Sequence, residues 1–323
     1  MKKKRLVVIW DTKIHPLSFD IVQFFAICHL LSINEGLDGT FHVILRKRGY
    51  RKIGIEANYS EWHQERKFRN VILQMTSLCK WVAGYQVCYE DEAPLISSGD
   101  IVFPSTERRM KLGNVPEWVI TPMTSIQIEK IYESGSQIKS DGFVASADLK
   151  NEYQQRFGHR ALILQLRQSI HTSARNFPLD VFVALIKHFK KNGFNIFFIP
   201  DVENPEGQDL FSESGAVKLL AASYDYEHRL ACSEAALLNI NWVGGIVAPL
   251  AFANVNFVSL GLLNNLSNVS TEEYFSRKGP SIHKQPPWFK KNRQYYDWCP
   301  SEKVDASHII SMVQQRLDLL EQS

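Results

Sequence analysis

The sequence predicts an α/β protein of two Rossmann-like domains that face each other across a cleft. Three observations carry this prediction. The chain has 323 residues, which suits two domains of roughly 100–200 residues each. A strand, a loop, a helix and a second strand open the chain, and the same order begins again at Ala161. The predicted strands are short, continuous apolar runs, as expected for parallel strands buried on both faces.

The first half opens with Leu6–Trp10, an apolar run that predicts a buried strand and is followed by Asp11. Ser18 is expected to cap the next helix, which should end near Ser32. Phe41–Leu45 predicts the second strand. The pattern weakens between residues 53 and 140, where the order of the elements stays open. The elements expected there are a helix at Arg66–Trp81 and strands at Ile101–Phe103 and Trp118–Ile120.

The second half begins after a polar seam, Asn151–His159, with a strand at Ala161–Leu166. Pro178 suits the first turn of a helix over Leu179–Lys191, whose apolar residues recur at helical spacing. Gly193 is expected to end this helix. The elements expected after it are a strand at Asn195–Ile199, a helix at Tyr226–Leu238, strands at Asn241–Val243 and Val255–Leu260, and an amphipathic helix from about Asp305 to Leu320.

Charge and composition argue against several classes of protein. The net charge of +3 is too small to predict nucleic-acid binding. Basic residues are bunched at 2–5, 46–52 and 290–293. Each cluster fits either solvated surface or a patch that meets anionic lipid or a phosphorylated substrate. The five cysteines form no CxxC pair, so neither a disulfide framework nor a zinc site is expected.

The apolar runs indicate the compartment. None approaches the ~20 apolar residues that span a bilayer. The run that follows the basic N-terminus is cut short by Asp11, so no signal peptide is expected. We therefore expect a cytoplasmic protein, which would act at the inner face of the membrane if a basic patch meets lipid.

Common catalytic motifs are missing from the sequence. It contains no GxGxxG or GxxxxGK[ST] element, no HExxH and no GxSxG, which removes the main support for hydride transfer and for P-loop ATP hydrolysis. The Asp-x-Asp motif of metal-dependent sugar transfer is also missing. We therefore expect a metal-independent reaction.

Polar residues follow the predicted strand ends, where open α/β sheets bind their ligands. The first strand ends at Asp11, with His15 close behind. Either could serve as a base towards a hydroxyl group, as could Asp20, although a loop turn, a surface histidine and a first-turn helix carboxylate are ordinary alternatives. Arg167 follows an otherwise apolar strand, and a guanidinium group matches the paired oxygens of a diphosphate. A structural ion pair is its alternative.

Further candidates lie along the second half. Arg175 is in the same loop as Arg167, just before the helix at Pro178. Asp201 ends the next strand, where it could bind a ribose or base or only terminate the strand. Arg229 lies in a helix, where a surface position is the alternative. Gly244-Gly245 would let a ligand approach the backbone closely, and would equally suit a tight turn.

The order of these elements matches a known family. Gln165-Leu166-Arg167 is followed by a helix, a strand ending at Asp201, a helix with Arg229 and a strand ending in the Gly244-Gly245 turn. Over residues 160–262 this order resembles the donor-binding half of GT-B glycosyltransferases, particularly the fucosyltransferase-like group. In that group the arginine of a His-x-Arg element holds the donor diphosphate, so the resemblance assigns that role to Arg167. The resemblance also implies donor contacts for Asp201, Arg229 and the Gly244-Gly245 turn. This chain departs from the group at two positions. Gln165 replaces the histidine of the His-x-Arg element, and glycine occupies the turn at 244–245, where the group often has serine or threonine.

The resemblance implies a GT-B glycosyltransferase of the hexosyl- or deoxyhexosyltransferase type. It would move a sugar from a nucleotide sugar, GDP-linked in preference to others, to a saccharide or glycolipid acceptor in surface polysaccharide biosynthesis. The nucleotide sugar is a substrate, so no cofactor is implied. An anionic membrane is a further expected partner, at the basic and aromatic residues 288–298, and nucleic acid is not. Two alternatives stay open: a GT-B sugar-nucleotide epimerase and a non-catalytic sugar-nucleotide-binding module.

The same resemblance predicts the domain organisation. Residues 1–155 would form the acceptor-side Rossmann-like domain. Residues 156–304 would form the nucleotide-sugar-binding domain. Residues 305–323 would form a helix that crosses back to the first domain.

Overall fold

Strands and helices alternate through the chain and build two units, Met1–Gly142 and Phe143–Ser323. The computed structural model describes residues 4–52, 54–104, 125–138, 140–169, 173–202, 211, 213–242, 244–265 and 270–322. The strand predicted at Trp118–Ile120 lies outside these residues. The parallel strands and covering helices confirm the predicted α/β class.

The first unit contains four strands within its described residues. They are β1 (Leu6–Asp11), β2 (Phe41–Lys47), β3 (Val82–Tyr89) and β4 (Ile101–Phe103). The helices are α1 (Asp20–Asn34), α2 (Glu61–Lys67), α3 (Gln74–Leu78) and α4 (Ser125–Glu133), with a π-helical segment at Phe68–Leu73 and a 3₁₀ turn at Gly54–Asn58. The strands pair in parallel in the order β3-β2-β1-β4, so the carboxyl ends of β1 and β2 lie side by side.

Two local predictions in this unit were wrong. Ser18 does not cap α1: its hydroxyl donates to Asp20 Oδ2 (2.6 Å), and Phe19 occupies the cap position without a side-chain hydrogen bond. The helix predicted at Arg66–Trp81 begins earlier, at α2, because Ser60 Oγ accepts from the His63 N–H (3.2 Å) and caps it. It ends at Leu78, because Cys79 takes an extended conformation before β3 starts.

The second unit contains six strands within its described residues. They are β5 (Ala161–Gln165), β6 (Asn195–Ile199), β7 (Val217–Lys218), β8 (Leu238–Trp242), β9 (Phe257–Leu260) and β10 (Gln294–Tyr296). The helices are α5 (Ala147–Phe157), α6 (Leu179–Lys191), α7 (Ala221–Tyr224), α8 (Tyr226–Ala235), α9 (Val247–Leu250), α10 (Glu272–Lys278) and α11 (Ala306–Glu321), with 3₁₀ turns at Ser173–Arg175 and Ser301–Lys303.

The six strands pair in parallel in the order β10-β9-β8-β5-β6-β7. The chain starts in the middle at β5, moves outward through β6 and β7, then returns to the other side of β5 with β8. This is the Rossmann strand order, and its switch point lies between β5 and β8. Pairing in both directions from a central, fully buried strand explains why β5 is apolar except at Gln165.

The two faces of this sheet differ in chemistry. One face packs against α6 and α11 through a continuous apolar cluster that includes Leu164, Phe182, Ile240 and Val313. The other face carries a polar row: Gln165, Asn239, Asn241 and Ser259, each 0% exposed. Gln165 Nε2 donates to Ser233 Oγ of α8 (2.8 Å) and to Asn239 Oδ1 (3.0 Å). Gln165 pairs in register with Asn241, and Asn241 with Ser259, so the row crosses the middle of the sheet.

Element boundaries differ from prediction where composition misleads. The polar seam predicted at Asn151–His159 lies largely within α5, a helix whose buried residues are Tyr153 and Phe157. β8 begins at Leu238, because the residues from there alternate between the two covered faces. α6 ends at Lys191, and Gly193 follows it with φ +79°, which confirms the predicted glycine stop.

The predicted domain boundaries stay predictions. The contacts of the chain divide it after Gly142, and a boundary at residue 155 would fall inside α5. The last helix, α11, packs on α6 of its own unit through Ile309, Val313 and Leu317.

Candidate functional site

The switch point of the second sheet brings together two of the predicted donor-binding elements. Arg167 follows β5, and Gly244-Gly245 follows β8, the neighbouring strand. A Cβ atom on Gly244 would lie 4.0 Å from Arg167 Nη1. The guanidinium group therefore lies against a stretch of backbone that has no side chain, at the sheet edge where α/β proteins bind ligands.

Arg175 is close to the same place. Its carbonyl oxygen accepts a hydrogen bond from the Trp242 indole at the end of β8 (3.0 Å). Burial, together with the nearby charge of Arg167, lowers the pKa of Arg175 to about 10, which still leaves it charged at neutral pH. Among the described residues, Arg175 Nε has no hydrogen-bond partner and no carboxylate forms an ion pair with this side chain.

The loop that carries both arginines is held by hydrogen bonds. Asn176 Oδ1 accepts from the Ser169 N–H (2.8 Å), and Asn176 Nδ2 donates to the Ser169 carbonyl (3.1 Å). Asp201, at the end of β6, accepts from the Gln168 N–H (2.7 Å). Asp201 thus fixes the residue next to Arg167. Its predicted contact with a ribose or base stays a prediction.

Arg229 lies away from the solvent, with 0% exposure. Its Nε donates to the Ala222 carbonyl (2.7 Å), its Nη2 reaches the Pro200 carbonyl (3.4 Å), and its guanidinium lies 5.5 Å from the Tyr226 ring. Burial lowers the pKa of Arg229, and the interaction with Tyr226 partly offsets this shift. In this position Arg229 supports the turn that carries Asp201, and its predicted donor contact stays a prediction.

Two neighbouring guanidinium groups, those of Arg167 and Arg175, concentrate positive charge at this edge. Like charges repel, and burial adds to the cost of Arg175, so a bound anion would relieve both penalties. Guanidinium forks match phosphate oxygens, and the Gly244 backbone leaves room for the ligand. The arrangement can bind a diphosphate and stabilise negative charge that develops on it.

The predicted catalytic pair, Asp11 and His15, lies in the first unit at the end of β1. Asp11 Oδ2 forms an ion pair with Arg48, and Oδ1 accepts from the Lys13 N–H (3.0 Å). His15 Nδ1 accepts from the Asp11 N–H (2.8 Å), and its ring stacks on Trp10 with centroids 4.5 Å apart. The structure therefore brings the pair together, while both carboxylate oxygens and one ring nitrogen already have partners. Their catalytic roles stay predictions.

The burial of His15 gives a testable pH dependence. Desolvation lowers its pKa to about 4, so the ring is neutral in the folded protein at pH 7. The unfolded chain binds more protons between about pH 6.5 and 4, and stability should therefore fall as the pH falls through this window, by up to about 1 kcal/mol per pH unit. NMR titration of the histidine rings checks this, with His15→Phe used to assign the signal. A midpoint near pH 6.5 for His15 would contradict it.

Solved structures of known proteins give the fold its context. One is a family 9 glycosyl transferase from Veillonella parvula DSM 2008, with a TM-score of 0.57, 11% identity, and coverage of 99% of this chain and 98% of that one. Another is the ADP-heptose lps heptosyltransferase II of E. coli, with a TM-score of 0.56, 12% identity, and coverage of 99% and 100%. The chain has the GT-B glycosyltransferase fold. Neither a known protein family nor a curated protein matches the sequence itself.

Two further properties concern metals and membranes. In the part of the chain that the structure describes, no group of three or more His, Cys, Asp or Glu residues could hold a metal ion. None of the described helices is long and apolar enough to cross a membrane.

Two supporting residues were not predicted as part of the site. Trp242 holds the backbone of Arg175, and Asn176 closes the arginine loop. Asn176 could be recognised in the sequence only as a turn or cap residue. The role of Trp242 depends on a contact between residues 67 positions apart, for which the sequence carries no local signal.

Proposed function

We propose that the protein is a metal-independent glycosyltransferase that takes its sugar from a nucleoside-diphosphate sugar bound at the switch point of the second unit. The pair of arginines at that edge, Arg167 and Arg175, is the observation that carries the proposal. The GT-B fold supports it, because proteins with this fold include sugar transferases. The acceptor would be a saccharide or glycolipid used to build a surface polysaccharide.

The chemistry follows from the charges. Transfer breaks the bond between the sugar and the diphosphate, and the departing diphosphate gains negative charge. Two fixed guanidinium groups would stabilise that charge without a metal. The acceptor hydroxyl must lose a proton, and Asp11 and His15 are the proposed candidates for the base. The lowered pKa of His15 keeps its ring neutral at pH 7, as a base must be, and also makes the ring a weak base.

The nucleotide is the finer part of the proposal. The fucosyltransferase-like order of Arg167, Asp201 and the Gly244-Gly245 turn favours a GDP-linked donor. The E. coli enzyme with the similar fold is described as an ADP-heptose heptosyltransferase, which makes an ADP-linked donor the second candidate.

A thermal-shift screen tests the donor directly. The protein would be incubated with GDP-, ADP-, UDP-, dTDP- and CMP-linked sugars and with the free nucleotides. A ligand that binds only the folded state raises its stability, by about 2.7 kcal/mol when its concentration is 100 times Kd. We expect a clear rise with one nucleotide class.

A turnover assay then separates the alternatives. Release of free nucleotide that depends on an added acceptor would support a transferase. Interconversion of the sugar without an acceptor would indicate an epimerase, and binding without turnover a binding module. No stabilisation by any nucleotide sugar in a folded sample would contradict the proposal.

A further inference from the structure

The first unit contains a second concentration of positive charge, in a short segment that has many more basic than acidic residues. Residues 46–69 contain eight lysines and arginines and three glutamates, although the whole chain has a net charge of only +3. These residues run from the end of β2 through α2 into the π-helical segment. The excess is therefore local to one part of one unit.

Within this segment α2 turns an aromatic side chain outwards. Trp62 is 68% exposed, while Gln64 and Phe68 form the buried side of the helix. The Arg66 guanidinium lies 5.6 Å from the Trp62 ring, one helical turn further along. Most of the large apolar surface of this indole therefore contacts water, and a partner that covered it would gain apolar contact.

A second cation–aromatic pair lies beside the first. Lys67 Nζ is 4.4 Å from the centre of the Tyr59 ring and 3.2 Å from its hydroxyl. His63 stacks on the same ring with centroids 4.4 Å apart. Aromatic rings and cations therefore alternate over one surface, here called the α2 face: Tyr59, Trp62, His63, Arg66, Lys67 and Arg69.

The acidic residues of the segment do little to offset this charge. Glu65 lies between Lys47 (2.6 Å) and Arg69 (2.8 Å) and also accepts from the Tyr50 hydroxyl. Burial raises its pKa, but the hydrogen bonds from these three groups together lower it to about 2. Glu56 pairs with Arg51 (2.7 Å). Glu61, exposed in the first turn of α2, is the remaining carboxylate, so the segment as a whole keeps an excess of positive charge.

We propose that the α2 face docks on an anionic lipid surface. Tryptophan and tyrosine side chains favour the boundary between water and lipid, because one end of each ring system is polar and the other apolar. Lysines and arginines beside them attract anionic head groups. A lipid surface suits the exposed Trp62 better than nucleic acid does, since the basic cluster is small.

The α2 face is a better membrane contact than the segment 288–298, which the sequence suggested. There, Lys290 Nζ bonds to the Ala253 carbonyl and to Asn254 Oδ1 (3.0 and 3.1 Å), and Arg293 bonds to Asn254 and Asn256. Trp298 is 7% exposed. Those side chains hold the second unit together.

The position of the α2 face also deepens the proposed function, on which this step rests. Lys47, which binds Glu65 of α2, directly follows Arg46 in β2, and Arg46 is the register partner of Asp11. Docking would bring the edge that carries Asp11 close to lipid. A lipid-linked acceptor could then reach that edge without leaving the membrane.

Vesicle sedimentation tests the lipid contact without any need for turnover. The full chain would be mixed with vesicles of phosphatidylcholine alone and with vesicles that also contain phosphatidylglycerol. We expect binding only to the anionic vesicles. Trp62→Ala, and separately Arg66→Gln/Lys67→Gln, should each weaken it by about tenfold, given what one or two such residues contribute at a lipid surface.

The matched control is Lys187→Gln/Lys191→Gln. These two exposed lysines of α6 lie in the second unit, and their replacement changes the net charge equally. It should leave vesicle binding unchanged. All variants should keep the wild-type circular dichroism and any stabilisation by a nucleotide sugar, so failure of the lipid proposal is distinguishable from failure of the proposed function.

Three outcomes would overturn the lipid proposal. The first is equal binding to both kinds of vesicle, or to neither. The second is an equal loss of binding in the α6 control, which would indicate net charge alone. The third is single-stranded DNA binding that depends on the α2 face while vesicles are not bound, which would make nucleic acid the partner.

Discussion

Replacing both Arg167 and Arg175 by alanine should weaken the binding of the nucleoside-diphosphate donor by about 100-fold or more. Hydrogen bonds to charged groups contribute about 1.5–3 kcal/mol each, and about 1.4 kcal/mol corresponds to a factor of ten. Each single variant should therefore lose at least about tenfold. Isothermal titration with the nucleotide found in the donor screen measures all three variants against the wild-type protein.

The folded state should tolerate the loss of the Arg175 side chain. The hydrogen bond from Trp242 goes to the backbone of Arg175, which alanine retains, and removal of this guanidinium group relieves its repulsion from Arg167. The melting temperature of Arg175→Ala without ligand should therefore stay the same or rise. Arg277→Ala, an exposed arginine of α10 paired with Glu273, serves as the control with normal binding. Unchanged donor affinity in the double variant would remove this edge of the sheet from the site.

Replacing Arg229 by leucine should destabilise the second unit by about 2 kcal/mol. The substitution removes a buried charge, which by itself can be neutral or stabilising. It also leaves the buried Ala222 carbonyl without its Arg229 donor, at a cost of about 1–3 kcal/mol, whereas the Pro200 carbonyl still accepts from Ser223 Oγ (3.2 Å). The bond to Ala222 is the shorter one, so most of the loss should come from there. Urea unfolding followed by tryptophan fluorescence measures the change.

The same variant tests whether Arg229 supports the site or touches the donor. If it only supports the turn at Pro200, donor affinity should fall by less than in the Arg175 variant, and Arg229→Lys should recover part of the stability. Arg156→Leu, an exposed arginine of α5, controls for loss of a charge. If Arg229→Leu matched the wild type in stability yet lost donor binding as strongly as Arg175→Ala, the supporting role would be wrong.

The fold was predictable where a strand and a helix each bury a regular apolar pattern. The unit from β5 through α6 to β6 has this character: five buried strand residues, an amphipathic helix and a second apolar strand. Prediction failed for α5, because a helix that buries only two side chains leaves a polar sequence. It also missed β3, an edge strand with a single buried residue, whose exposure alternates only over its first four positions.

The candidate site was predictable only in part, for a related reason. Arg167 and the glycine turn lie directly at strand ends, and the βαβ pattern alone places those ends at one edge. Arg229 carried no signal that separates a ligand contact from a buried support, because both uses place an arginine on a short helix. Its hydrogen bonds go to backbone carbonyls. Every residue has a backbone carbonyl, so the sequence does not indicate which ones accept.

The polar row beneath the arginine loop restricts how the central strands can pair. Along β8, Asn239 and Asn241 point to the α8 side, while Leu238, Ile240 and Trp242 belong to the apolar cluster on the other side. A shift of β8 by one residue against β5 would exchange these two sets, and would bury amides in the apolar layer. A shifted register is therefore destabilised relative to the native one. The native pairing in turn keeps the ends of β5 and β8, which carry Arg167 and Gly244, next to each other.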